Sequence, residues 1–137
     1  MENLNDLINN LDLEEFSYYY HITGKGYGDD IIEKGLYMEE DDLRTTTIAI
    51  PEEMINNPEE YCLSEYKNDI VKREEMVLIG CPKGDEGSLV KPIGYDNWIG
   101  NRQLNYIIRS ENILGYIDLK TLDVTYNPEY IDFSLRR

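Results

Sequence analysis

The order of the patterned segments constrains this chain more than any other feature. Helical spacings come early and extended apolar runs come late, without the strand–helix–strand alternation of a parallel sheet. Residues 104–108 read LNYII, 113–119 read ILGYIDL and 122–126 read LDVTY, while MVLIG at 76–80 is a short, fully apolar strand. Leu4, Leu7, Ile8 and Leu11 recur at helical spacing, so residues 1–16 read as an N-terminal amphipathic helix. The expected class is α+β: one domain over residues 1–137, with a small, split, mainly antiparallel sheet and flanking helices.

Between these ends, residues 17–22 form an aromatic, extended run and predict a strand. GKGYG follows as a turn, and Asp29 or Asp30 caps a short helix that stops at Gly35. A brief strand is expected at 36–38, then a solvated EEDD loop at 39–42. TTTIAI at 45–50 is β-branched almost throughout and ends at Pro51. Asn57, Pro58 and Glu60 predict a helix from about residue 58 to 70 that buries Cys62, Tyr66 and Ile70. Residues 81–101, rich in Gly, Pro and Lys and containing the sole tryptophan, Trp98, read as a long functional loop.

Charge and cysteine usage narrow the function. Residues 1–75 carry 20 acidic and 6 basic side chains, a net of −14, whereas residues 76–137 carry 8 and 7, a net of −1. Such an N-terminal half repels phosphate and attracts basic protein surfaces, so direct nucleic-acid binding is not expected. No apolar run approaches the roughly 20 residues of a membrane span. Cys62 and Cys81 stand far apart, and with one histidine in the chain no zinc site is expected. Two lone thiols without an export signal point to a reducing, cytoplasmic setting.

That one histidine, His21, closes the aromatic strand, where its ring can reach a cleft at the sheet rim. No nucleophile-elbow motif surrounds any serine, so a nucleophilic triad has no support. The stretch YYYHITGKGYGDDIIEKGL (18–36) resembles the opening motif of the ADP-ribosyltransferase fold, in the branch shared by diphtheria-type toxins and poly(ADP-ribose) polymerases. That motif is a strand ending in His-Gly-Thr/Ser, a turn, and a helix closing in Gly-Leu or Gly-Phe. TIAIPEEMINNPEEYC (47–62) is similar to the branch's second strand and helix, and LNYIIRSENILGYIDL (104–119) to the strand that carries its catalytic glutamate.

The resemblance implies NAD as substrate. His21 would hydrogen-bond the nicotinamide ribose, the backbone of Ile22 would grip the nicotinamide amide, Thr23 would support it and Tyr61 would stack on the ring. Ala49 or a neighbour stands where the second-strand tyrosine is usual. Asn105 stands where the glutamate is usual, with Gln103 two residues earlier and Glu111 as another carboxylate in the following link. Cleavage of the nicotinamide–ribose bond builds positive charge on the sugar, which a neutral amide stabilises less than a carboxylate does. The resemblance therefore implies a mono-ADP-ribosylating effector or toxin, bacterial or phage, acting on a protein target with a basic surface. Two alternatives stand beside it: an acidic inhibitor that imitates nucleic acid, and a catalytically inactive scaffold of the same fold. On the leading reading, the strands holding His21 and Asn105 lie in one split sheet and face one cleft.

Overall fold

The computed structural model describes residues 3–39, 47–98 and 101–130, with backbone alone at 96–98 and 101–103. The chain is α+β, with two antiparallel sheets and short helices. The elements are α1 (Leu4–Asn9), β1 (Phe16–Thr23), α2 (Tyr27–Lys34), β2 (Leu36–Glu39), β3 (Ile48–Ala49), α3 (Glu52–Asn56), α4 (Pro58–Asn68), β4 (Glu75–Pro82), α5 (Glu86–Leu89), β5 (Val90–Trp98), β6 (Asn101–Ile108), β7 (Ile113–Asp118) and β8 (Val124–Tyr126). A single 3₁₀ turn, Ser110–Asn112, links β6 to β7. The larger sheet has the order β3-β1-β4-β7-β8 and the smaller β2-β6-β5.

The apolar run at 76–80 lies in β4, the central strand, and is buried on both faces. One face, with Met76 and Leu78, meets Leu4, Leu7 and Ile8 of α1, Met54 of α3 and Cys62 of α4. The other, with Val77, Ile79 and Cys81, meets Leu36, Met38 and Ile108 of the smaller sheet and Ile31 of α2. The larger sheet is thus sandwiched, with helices on one side and the second sheet on the other. Burial pushes the Cys62 thiol up to about 12 and the Cys81 thiol to about 11, so both stay protonated and unreactive at neutral pH. Among the described residues no helix is long and apolar enough to cross a membrane.

Several expectations change. The N-terminal helix covers Leu4–Asn9 rather than 1–16: Asn3 and Asp6 close a capping box, and Phe16 already opens β1. α4 ends at Asn68, where Asp69 accepts the amides of Val71 and Arg73 at 3.1 Å each. Ile70 therefore leaves the helix and is 97 % exposed instead of buried. Pro58 holds the first position of α4 as expected, but the Asn57 side chain makes no cap bond. The expected loop at 81–101 holds α5 and the nine-residue strand β5. Pro92 and Gly94 hide that strand in the sequence; it tolerates them as an edge strand with a bulge between them. Of the strand expected at 45–50, Ile48–Ala49 is strand, while residues 45 and 46 lie outside the described ones, as do 40–42 of the EEDD run.

The start of α2 is the largest local surprise. Neither Asp29 nor Asp30 caps it; Gly26 holds the cap position at φ 90°, without a side-chain bond from its own segment. The cap comes from β4, where Glu75, 5 % exposed, accepts the amides of Gly26 at 3.1 Å and Gly28 at 2.7 Å. A carboxylate at a helix N-terminus meets both the orphan donors and the positive end of the dipole. Gly28 is required by closeness: a Cβ there would lie 2.5 Å from the Tyr116 ring and 2.8 Å from Glu75 Oε1. The turn after His21 is therefore pinned to the sheet from below.

Candidate functional site

β1 carries the His-Ile-Thr segment along the larger sheet, with His21 opposite Val77, Ile22 opposite Met76 and Thr23 opposite Glu75. On its other edge β1 is covered by β3 only at Tyr19 and Tyr20. The Ile50 amide donates to the Tyr18 carbonyl at 3.0 Å on that edge. Backbone groups alternate sides in an antiparallel ladder, so those of Tyr18, Tyr20 and Ile22 point away from β4. Among the described residues no strand reaches Ile22 there. Its backbone edge is unpaired by any described strand, and its carbonyl accepts from a side chain.

A cleft of about 430 Å³ faces that edge, lined by Ile22, Glu65, Asn68, Asp69, Ile70, Val71 and Arg73. Arg73 Nη1 donates to the Ile22 carbonyl at 3.3 Å, and Arg73 Nε binds Asp69 at 2.8 Å. The hydrogen bond from Arg73, helped by the amides of Val71 and Arg73, holds the Asp69 carboxyl below the usual carboxylate range. Lys72 is turned to the carbonyls of Tyr66 and Lys67 and lies over the Tyr66 ring, 5.6 Å from its centroid.

Tyr61 stands on α4, half-buried, its hydroxyl 2.7 Å from that of Tyr20 and the two rings edge-to-face at 6.1 Å. Burial, reinforced by the hydroxyl pair and Glu65, raises the Tyr20 phenol; burial likewise raises Tyr61. Ile22 and Tyr61 pack against the same core cluster, on the helix side of the larger sheet. His21 is half-buried and alternates to the other face of β1 with Tyr19.

Asn105 lies in the middle of the smaller sheet, opposite Glu39 on β2 and Gly94 on β5. Tyr106 and Ile108 turn toward the core between the sheets, so the pleat turns Asn105 away from it. It is nevertheless 5 % exposed, and its Oδ1 has no hydrogen-bond partner among the described residues. Buried amides are normally satisfied, and an orphan acceptor marks a place where a donor is missing. Gln103 pairs through its backbone with Asp96, and Trp98 with Asn101; both side chains lie outside the described ones. Ala49 is exposed opposite Tyr19. Glu111 pairs with Arg109 at 3.4 Å and borders a separate polar cavity of about 160 Å³ that none of His21, Ile22, Thr23, Tyr61 or Asn105 lines.

His21 and Asn105 lie in different sheets, not in the one split sheet expected, and they do not face one cleft: His21 alternates with Tyr20 onto the Tyr19 side of β1, toward the core between the sheets, whereas Asn105 turns away from that core. Sequence reasoning missed Arg73, Glu65 and Glu75, since each enters the site through a contact distant in sequence. Among the described residues no group of three or more His, Cys, Asp or Glu side chains is placed to hold a metal ion. No family model, no curated protein and no solved structure matches the chain.

Proposed function

We propose that this is an ADP-ribosyltransferase-like protein that binds NAD at the open edge of β1. The observation that carries the reading is the Ile22 backbone, unpaired by any described strand and facing a cleft bordered by the helix of Tyr61. A carboxamide needs one acceptor and one donor side by side, which is what one outward-facing residue of a strand edge offers.

The reaction is substitution at the anomeric carbon of the nicotinamide ribose. The bond to the ring nitrogen breaks, its electron pair leaves with nicotinamide, and a nucleophile on the acceptor bonds to the carbon and loses its proton. Asparagine stands where the resemblance expects the charge-stabilising glutamate, so transfer by this chain is slow. The acceptor is a protein with a basic surface, drawn by the acidic N-terminal half in a cytoplasmic setting. One observation favours a second reading, the acidic inhibitor: Glu52, Glu53, Glu59 and Glu60 are exposed on the consecutive helices α3 and α4.

NAD should raise the melting temperature, because a ligand selective for the native state stabilises it by linkage. His21→Ala should abolish the shift while leaving the ligand-free melting temperature nearly unchanged. An undiminished shift in that variant would move the site elsewhere. Absence of any shift, together with salt-sensitive capture of a basic nucleic-acid-binding enzyme, would favour the inhibitor.

A further inference from the structure

The cleft at Ile22 carries an anionic side chain that the NAD reading alone does not use. Glu65 lines the cleft one helical turn beyond Tyr61 and interacts with the Tyr20 and Tyr61 hydroxyls. The other two charged groups of the wall neutralise each other: Asp69 binds Arg73 at 2.8 Å and accepts two backbone amides besides. Among the described residues no cation pairs with Glu65 within 4.0 Å, and the nearby Lys72 is turned to backbone carbonyls of α4. The cleft therefore keeps one net negative charge beside the Ile22 carbonyl, which accepts from Arg73.

We infer that Glu65 is a specificity-determining residue that selects a positively charged aromatic carboxamide, the oxidised pyridinium form of the nicotinamide ring over the reduced, neutral form. The inference rests on the NAD reading of this cleft. The carboxamide replaces Arg73 at the Ile22 carbonyl, and the ring charge, delocalised over the heterocycle, is met by the Glu65 carboxylate. Arg73 stays neutralised by Asp69 when it leaves the carbonyl, so its departure does not fill the cleft with positive charge. Glu65 is half-exposed, which keeps the attraction to that of a partly solvated pair.

The test uses two fragments of equal shape at the carboxamide: neutral nicotinamide, and nicotinamide methylated at the ring nitrogen, a permanent cation. Isothermal titration of the full chain should show the cation binding roughly five- to tenfold more tightly at low salt, with the ratio shrinking as ionic strength rises. Glu65→Gln should bring the ratio close to one while nicotinamide binds as before, and Glu65→Asp should keep part of the preference. Circular dichroism of each variant checks that α4 is intact. Nicotinamide bound without preference for the cation would overturn the role of Glu65 and leave the carboxamide site standing. A preference that survives Glu65→Gln would also overturn it. Failure of both fragments to bind would overturn the NAD reading and this inference together.

Discussion

Replacing Glu75 with alanine is expected to cost about 3–5 kcal/mol of stability, because it breaks two buried, charge-assisted hydrogen bonds and leaves a cavity. The amides of Gly26 and Gly28 both depend on this carboxylate, and Gly28 is buried, so water cannot replace the lost acceptor without opening the turn. For a domain with about 5–15 kcal/mol of total stability, that is a large fraction and a drop of roughly 10 °C or more in melting temperature. Glu75→Gln should cost less, since one carbonyl oxygen still accepts from Gly28 while the new NH₂ group faces the Gly26 amide. Urea unfolding at neutral pH measures both. A cost for the alanine variant below about 1 kcal/mol would mean that α2 is held by its packing alone, through Ile31 and Ile32. The contact also concerns function: Glu75 sits opposite Thr23, so loosening the turn frees the end of the strand that carries His21.

The second large effect is on chemistry. Asn105→Glu should raise NAD hydrolysis on the order of a hundredfold, because an anion beside the developing oxocarbenium ion lowers the barrier by a few kcal/mol in a water-poor site. Asn105 is 5 % exposed, so a carboxylate there is shielded from solvent. The same burial penalises the new charge in the free protein, and the variant should melt at a lower temperature than the parent without ligand. Gln103→Glu, two residues earlier on β6, should do less. Rates are compared at saturating NAD, so that a change in affinity does not pass for a change in chemistry. Unchanged turnover with NAD still bound would remove Asn105 from the reacting end of the cleft.

What could be read from the sequence followed local rules. The MVLIG run announced a strand buried on both faces, and β4 is that strand. The turn and helix after His21 were legible down to Gly35, which ends α2 at φ 89° with its amide on the Ile31 carbonyl at 2.7 Å. What escaped depended on partners remote in sequence. The cap of α2 comes from Glu75, 47 residues beyond Gly28, and no local pattern encodes it. β5 was obscured because Pro92 and Gly94 oppose a strand by propensity, while pairing with β6 and a bulge accommodate both. Ile70 continued the apolar spacing of α4, yet Asp69 captured the following amides and turned the chain outward. For the site, the His-Ile-Thr strand end was visible, but the edge at Ile22, unpaired by any described strand, was not. The guanidinium on its carbonyl follows from the loop after α4.

The central claim is that the Ile22 backbone receives the carboxamide of nicotinamide, and a crystal structure of the protein soaked with NAD tests it most directly. The account predicts the carboxamide hydrogen-bonded to the Ile22 amide and carbonyl, Arg73 moved off that carbonyl, and Tyr61 beside the ring. NAD bound elsewhere, with the Arg73 bond to Ile22 intact at about 3.3 Å, would contradict it.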